Sequence, residues 1–294
     1  MSIRDKEALD VRLVAFEAMW NGSFDEAIEQ YDRALALAES DEVRELITIG
    51  KAEALIAADR EGTEVNALAA IVMRRRSPRH VYMAAAVLMR RYCETEDRRR
   101  AIFYGEIARD AATALQDSFA RATVLNNLGI TLTADSQFTA AIAAFDEALA
   151  ALAVVAESND RVVALRAAIV ANLGGAKVLC GLHEDGIRLL ESALPKLNET
   201  YELTEAYLDL CFGYMELGQD AKAEELGRKA LAYATVGRQI RNANHLLGEL
   251  ALRAGRYAEA DDYFTVVAGF YPQFPNVKEL LVTVDLCAVV NWKG

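Results

Sequence analysis

Apolar and small residues recur along this chain in one repeating order, interrupted by short turns. The clearest copy runs from Gly248 to Phe264 and is closed by Pro272. Other copies lie at 128–148 and at 15–34. Each copy has a small residue, then a turn followed by an aromatic residue, then alanines and large apolar residues at helical spacing. This order predicts a unit of helix, tight turn and helix.

The spacing of the copies predicts seven units. The small residue early in each second helix is the reference point, and the spacing between successive reference points is 74, 40, 45, 37 and 37 residues. The reference residues are Ala27, Ala101, Ala141, Gly186, Ala223 and Ala260. Because 74 is twice 37, we expect a degenerate copy near Ala67. The predicted units are 6–40, 42–76, 78–115, 117–157, 159–198, 200–236 and 238–272, with a capping helix at 273–294.

Small residues at fixed places explain why such units would pack. Five positions before the reference residue, four copies carry glycine, at Gly22, Gly181, Gly218 and Gly255. A glycine just past a helix end suits a left-handed backbone conformation. Twelve positions before the reference residue stand Ala15, Gly129, Gly174, Cys211 and Gly248, and small side chains there let two helices approach closely.

These residues resemble the tetratricopeptide repeat family. The resemblance covers nearly the whole chain and is strongest from Ala122 to Pro272. It implies an all-α fold, a right-handed superhelical solenoid of about seven helix-turn-helix repeats with a C-terminal capping helix. The spacing exceeds the family's period of 34. Longer units of this kind look like those of peptide-sensing bacterial regulators and of some motor-cargo adaptors, which is an analogy of fold alone.

The segment from Pro275 to Val290 is predicted to form the capping helix. Its apolar residues recur at steps of three or four. Three further apolar residues, Leu286, Val289 and Trp292, lie off that stripe. Since solenoid caps are usually polar outside, these three residues predict a second interface, with another subunit or with a partner.

Charge is unevenly distributed. The whole chain carries −12, but residues 73–100 contain nine arginines against three acidic residues, so this Arg-rich segment is +6 and the remainder −18. The acidic total makes nucleic-acid binding unlikely on electrostatic grounds. Binding of an anion or a nucleic acid by the Arg-rich segment is the less favoured alternative. The sequence shows no basic, apolar and small-residue leader, and its four cysteines are scattered, so we expect a reducing cytoplasmic location and no membrane association.

No arrangement of residues typical of catalysis is present. The three histidines fall in different units, and none has a cysteine or second histidine at metal spacing. The sequence therefore predicts no enzyme activity, no cofactor and no metal.

Candidate binding residues follow from the resemblance, because in this family the second, fifth, ninth and twelfth positions of each first helix line the concave groove. That register selects a mixed set, of which Asn126 is the most interesting because its amide can pair with a peptide main chain. Arg90 could receive a carboxylate or a phosphate. The candidates are Arg12, Phe16, Arg90, Asn126, Thr133, Phe212, Asn242, His245 and Glu249. The same register also places Ile130 and Glu205 in the groove.

Two functions fit this prediction. The favoured one is a non-catalytic scaffold or adaptor that binds a protein or peptide in the groove. The alternative is a ligand- or peptide-sensing regulatory module that acts through a conformational change or through oligomerisation. In both cases the partner is a protein or a peptide, and the C-terminal helix offers a route to a homo-oligomer.

Overall fold

The structure is a computed structural model that describes residues 1–60, 64–156, 160–197, 199–284 and 291–293. Within these ranges the chain forms fifteen α-helices and no strand. The helices are α1 (Ile3–Trp20), α2 (Phe24–Leu37), α3 (Asp41–Ala57), α4 (Glu64–Arg74), α5 (Pro78–Glu94), α6 (Arg98–Ala114), α7 (Ser118–Ala134), α8 (Phe138–Leu152), α9 (Asp160–Leu179), α10 (His183–Ala193), α11 (Thr200–Glu216), α12 (Asp220–Tyr233), α13 (Gly237–Arg253), α14 (Tyr257–Ala268) and α15 (Val277–Thr283). The predicted all-α repeat fold is confirmed.

Short turns join the first and second helix of most pairs. The four turn glycines have positive φ, namely 79° at Gly22, 85° at Gly181, 69° at Gly218 and 70° at Gly255. Three pairs without a turn glycine hold another residue at positive φ, namely Asp59, Glu96 and Ser136. The left-handed conformation is thus a requirement of this turn, and glycine meets it at the lowest conformational cost.

The small residues of the first helices receive large side chains of the second helices. A Cβ atom added at Gly129 of α7 would lie 2.5 Å from the ring of Phe145 of α8. Gly248 of α13 accommodates the ring of Phe264 of α14 in the same way. Close packing leaves no room for even one methyl group at these positions, which is the physical reason for the repeating order of small residues.

The helices group into two compact units, Met1–Val124 and Leu125–Gly294. In unit 1 the first helices α1, α3 and α5 pack side by side, and its cores include Tyr31, Ile47 and Leu88. In unit 2 the first helices α9, α11 and α13 pack side by side, and the main core runs from Ala167 to Leu250. We call the surface that α7, α9, α11 and α13 contribute the first-helix face of unit 2.

Helix α9 has the length and composition of a helix that could cross a membrane, the one such helix among the described residues. In unit 2 it contacts α8, α10 and α11, and 56% of its apolar window is buried inside the protein. Burial of this kind is what the core helix of a repeat protein shows.

The C-terminal segment differs from the predicted capping helix. Helix α15 spans only Val277–Thr283, and Val284 is extended, with φ −132° and ψ 125°. Three consecutive β-branched residues, Val282, Thr283 and Val284, disfavour continuation of the helix. The predicted interface residues Leu286 and Val289 lie outside the described residues. Trp292 is 5% exposed, so it does not lie on an exposed second face of a capping helix.

Candidate functional site

The three candidate residues of unit 1 lie on its first helices. Phe16 is 42% exposed and stacks on Trp20 with ring centroids 6.4 Å apart. Arg12 is half-buried. Arg90 is exposed and donates to Glu53 over 3.1 Å, an acidic partner supplied by the protein itself. A binding role for these residues stays a prediction.

Several arginines of the Arg-rich segment also have acidic partners within unit 1. Arg76 pairs with Asp41, and Arg74 lies 3.8 Å from Glu45, whose side chain is buried. Arg100 pairs with Asp97 over 3.4 Å. These contacts place part of the segment's charge in ion pairs, and an exposed pair such as Arg76 with Asp41 contributes little stability.

Three candidates of unit 2 are in the interior rather than at an open surface. Asn242 is 1% exposed, and its Oδ1 accepts a hydrogen bond from Arg241 Nε over 3.0 Å. His245 and Glu249 are also buried, with His245 Nε2 3.6 Å from Glu249 Oε1. All three belong to α13, which is packed against α11, α12 and α14. Helix α13 is therefore buried on more faces than the groove register predicts for a first helix. The side chains of Asn242, His245 and Glu249 are not exposed to a partner.

The other three candidates of unit 2 surround one place on its first-helix face. Asn126 Oδ1 accepts from Asn172 Nδ2 over 2.9 Å, so this amide joins α7 to α9 and is itself 7% exposed. The carbonyl of Thr133, near the end of α7, accepts from Asn291 Nδ2 over 2.9 Å. Phe212 of α11 packs edge-on against Trp292, with ring centroids 5.6 Å apart. The latter two contacts involve the segment 291–293, which we call the tail.

Two carboxylates one helical turn apart on α11 form the charged centre of this place. Glu205 and Asp209 project to the same side because residues four apart share a helix face. Asp209 is 3% exposed. On the neighbouring helix α9, Gly175 makes room for the Asp209 carboxylate, because a Cβ atom at Gly175 would collide with Asp209 Oδ2.

Lys293 of the tail contacts both carboxylates. Its Nζ donates to Asp209 Oδ2 over 2.8 Å and lies 2.7 Å from Oδ1, and it is 3.5 Å from Glu205 Oε2. Only 13% of the Lys293 side chain is exposed. Glu205 also accepts from Arg238 Nη2 over 2.9 Å and from Gln239 Nε2 over 3.1 Å. In a buried ion pair the attraction between the charges offsets part of their desolvation cost, whereas loss of one partner would leave an unpaired buried charge.

The pKa shifts follow from this arrangement. Burial opposes the charge of Lys293, but Asp209 and Glu205 outweigh burial and raise its pKa, so the ammonium stays charged. Burial likewise opposes ionisation of Glu205, but Lys293 and Arg238 lower its pKa. For Asp209 burial dominates and raises the pKa despite Lys293. The site is therefore built to hold a cation against at least one ionised carboxylate.

A cavity of about 100 Å³ adjoins Lys293. Its walls come from the five helices α7, α8, α9, α11 and α13 and include Ile130, Phe145, Tyr201 and Glu205. We call this cavity, together with the Glu205 and Asp209 carboxylates and the ring of Phe212, the acidic pocket. Its combination of apolar walls and a few convergent polar groups is typical of ligand-binding sites.

Sequence reasoning missed Asp209, Arg238 and Lys293 as site residues, and it predicted Trp292 for a separate second interface. The groove register skipped Asp209, yet its spacing of four from Glu205 was visible in the sequence. Trp292 and Lys293 were assigned to a helix, so nothing predicted that they would fold back on the first-helix face. Among the described residues, no group of three or more His, Cys, Asp or Glu side chains could hold a metal ion.

The sequence and the fold of this chain are similar to those of known repeat proteins. The tetratricopeptide repeat family model matches residues 121–155. No curated protein matches the sequence. Among solved structures, a Rap protein complexed with Competence and Sporulation Factor is 15% identical over 97% of this chain and 79% of its own, with a TM-score of 0.67.

Two further solved structures are similar across most of both chains. A tetratricopeptide repeat protein from Parabacteroides merdae is 13% identical over 94% of this chain and 98% of its own, with a TM-score of 0.61. The Rap conjugation gene regulator of plasmid pLS20, in complex with the Phr* peptide, is 13% identical over 93% and 77%, with a TM-score of 0.57. At these identities the similarity shows the fold alone. The chain thus carries a tetratricopeptide repeat at 121–155 and has the all-helical fold of tetratricopeptide-repeat proteins.

Proposed function

We propose that unit 2 binds a peptide or an extended protein segment on its first-helix face, at the acidic pocket, without catalysing a reaction. One observation carries this proposal. The tail lies on this face and makes three kinds of contact that a bound peptide would use, namely a hydrogen bond to a backbone carbonyl, an aromatic contact and an ion pair.

The similar structures support the same class of function. Two of them hold a ligand, Competence and Sporulation Factor in one and the Phr* peptide in the other. Since only the fold is shared, they support the general role of a protein- or peptide-binding scaffold or regulatory module. The identity of the residues that bind is argued from the acidic pocket of this chain.

The remaining parts of the proposal follow from the described residues. We propose that the acidic pocket serves recognition, because its carboxylates are engaged by Lys293 and Arg238 in ion pairs. The exposed thiol of Cys180 fits a reducing cytoplasm. We keep the division into seven repeats as the proposed domain organisation, and we propose a protein or peptide partner rather than a nucleic acid.

A regulatory module is the second candidate function. Occupation of the acidic pocket by the tail favours it, because a ligand that binds there must first displace residues 291–293. Release of the tail would then be the conformational change that a partner detects.

The proposal is tested by selecting peptides from a random library on the full chain and measuring the affinity of the best binder by fluorescence anisotropy. Substitution Glu205→Gln removes one carboxylate of the acidic pocket, and we expect the dissociation constant to rise about tenfold, because charge-assisted bonds contribute about 1.5–3 kcal/mol each.

The matched control is Glu225→Gln, which removes an exposed carboxylate of the same unit that pairs with Lys229 on α12. This control should bind the selected peptide as the parent chain does. Recovery of no binder, or equal affinity of the Glu205→Gln chain and the parent, would contradict peptide binding at this pocket.

A further inference from the structure

We propose that the acidic pocket recognises a segment in which an aromatic residue is followed directly by lysine, and that the tail is an intramolecular competitor for such a segment. This inference rests on peptide binding by the acidic pocket, and it names the chemistry of the ligand. It is drawn from the contacts of residues 291–293, whose side chains report which groups the first-helix face can hold.

The lysine subsite is defined by its negative charge and by the length of side chain needed to contact the buried Asp209 carboxylate. Asp209 of α11 is buried, and its carboxylate lies against Gly175 of the neighbouring helix α9. A long, narrow side chain with a terminal ammonium can reach it, as Lys293 does over 2.8 Å. Glu205 provides the second carboxylate at 3.5 Å and is itself held by Arg238.

The geometry favours lysine over arginine at this subsite. An ammonium is a compact point charge with three donors, whereas a planar guanidinium needs room for a bidentate approach to one carboxylate. Arg238 already donates to Glu205 Oε1 over 2.9 Å, whereas Lys293 lies nearest Oε2 of the same carboxylate. A second guanidinium would therefore place two planar cations around one carboxylate.

The aromatic subsite lies beside the lysine subsite. Trp292 is 5% exposed and belongs to the main core of unit 2, where Phe212 meets it with an angle of 60° between the ring planes. Phe212 in turn contacts His183 edge-on, with centroids 6.4 Å apart, so a second ring also helps to hold Phe212 in place. A preformed edge-to-face contact of this kind suits any aromatic side chain.

The aromatic subsite and the lysine subsite are adjacent, so they bind adjacent residues of the ligand. The tail is not helical at 291–293, and Asn291 anchors it to the main chain of α7 through the carbonyl of Thr133. From that anchor, Trp292 enters the apolar core while Lys293 reaches the carboxylates. The order aromatic then lysine is therefore set by the positions of Phe212 and Asp209 on one helix.

Competition by the tail follows from its covalent connection. A segment that is covalently tethered close to its own site has an effective concentration on the order of 1 mM. A free peptide must overcome that concentration, so its apparent affinity for the parent chain is reduced by the occupied fraction. The charge of −18 outside the Arg-rich segment also favours approach of a basic ligand.

The test uses a fluorescein-labelled hexapeptide with the sequence of residues 289–294 (Val-Val-Asn-Trp-Lys-Gly) and full-length chains. We expect the double variant Trp292→Ala/Lys293→Ala to bind this probe about tenfold more tightly than the parent chain, because the pocket is vacated. Adding Asp209→Asn to the double variant should reverse that gain. A probe with glutamate in place of lysine should bind at least tenfold more weakly.

The matched control is Trp20→Ala/Lys229→Ala, which removes an exposed tryptophan and an exposed lysine elsewhere in the chain and should bind the probe like the parent. If the double variant does not fold, Lys293→Glu alone releases the tail by repulsion from Asp209 and should also raise the affinity for the probe. Circular dichroism confirms folding in each case.

The inference is overturned if the vacated pocket binds the probe no better than the parent chain, or if the glutamate probe binds equally well. Peptides selected from the random library separate the two proposals. Should they bind in a Glu205-dependent way while the tail probe does not, peptide binding stands and the aromatic-lysine preference is wrong. Should neither bind, both proposals fail.

Discussion

Gly175 shows how one small residue builds the charged centre of the acidic pocket. The Asp209 carboxylate occupies the place where a Cβ atom at Gly175 would lie. We expect Gly175→Ala to destabilise the chain by about 1–3 kcal/mol, the usual range for overpacking a buried position. Urea denaturation monitored by circular dichroism measures this change.

The matched control for Gly175 is Gly237→Ala at the start of α13. A Cβ atom there would lie 3.2 Å from Phe270 Cε1, a side-chain atom that can shift slightly. Its stability should stay within about 0.5 kcal/mol of the parent chain. A Gly175→Ala chain as stable as this control would show that Asp209 does not occupy the described position.

The cysteines differ in reactivity because of burial. Burial between α11 and its neighbours raises the pKa of the Cys211 thiol to about 12, while Cys180 is exposed at the end of α9. Because the thiolate is the reactive form, iodoacetamide at pH 8 should modify Cys180 and leave Cys211 unmodified in the folded chain. Peptide mapping by mass spectrometry reads both sites, and equal labelling of the two thiols would be inconsistent with the burial of Cys211.

The turn between paired helices sets a conformational requirement at the scale of the element. Glu96, between α5 and α6, has φ 58°, a conformation that costs a non-glycine residue about 1–2 kcal/mol. Glu96→Gly should therefore stabilise the chain by about 0.5–1 kcal/mol after the greater freedom of the unfolded glycine is counted.

The reciprocal substitution is Gly218→Ala, at the equivalent turn between α11 and α12. Gly218 has φ 69° with open space around it, so the added methyl group meets no neighbour and only the backbone is strained. We expect a loss of about 1 kcal/mol. The melting temperature should rise for Glu96→Gly and fall for Gly218→Ala. A shift of the same sign in both variants would contradict the requirement for a left-handed backbone conformation in this turn.

Asp5 joins the start of α1 to the connection between α2 and α3. Its Oδ1 accepts from the backbone N–H groups of Glu39 and Ser40 over 2.9 and 3.1 Å. The Ser40 N–H, followed by that of Glu39, lowers the pKa of this carboxyl below its ordinary value of 3.8. Hydrogen bonds to the ionised form stabilise the folded state only while the carboxylate is charged.

The stabilisation that Asp5 contributes depends on pH. Because the folded pKa lies below the unfolded one, the stabilisation is complete above the unfolded value and is lost as pH falls through the folded value. The urea midpoint of the parent chain should exceed that of Asp5→Asn at pH 7, and this difference should shrink below about pH 4. A difference that stays constant from pH 7 to pH 3 would exclude the ionised carboxylate as its source.

At the scale of the molecule, the features shared by all repeats could be predicted from the sequence, whereas the position of the tail could not. Periodicity predicts the helical unit, the turn glycines and the small residues opposite Phe145 and Phe264. It does so because every repeat packs on its neighbours in the same way. The groove register also placed Thr133, Phe212 and Glu205 at the acidic pocket. These positions depend on local geometry that one repeat already determines.

The tail could not be predicted in this way. Its contacts with Thr133 and Asp209 join residues far apart in the sequence, and the position of Trp292 off the helical stripe does not indicate which surface its ring packs against. The burial of Asn242, His245 and Glu249 was missed for a similar reason, since the packing of α13 against three helices is not visible in its own periodicity. Tertiary context decided both outcomes.

Docking of the tail in the acidic pocket is the central claim, and tryptophan fluorescence tests it most directly. The chain has two tryptophans, of which Trp20 is 77% exposed and Trp292 is 5% exposed. In the variant Trp20→Phe, the emission of Trp292 alone should be blue-shifted and resist quenching by acrylamide, whereas Trp292→Phe, which reports Trp20, should be red-shifted and readily quenched. Adding Lys293→Glu to the first variant should shift its emission to the red. Emission from Trp292 as exposed as that of Trp20, with no response to Lys293→Glu, would contradict the account.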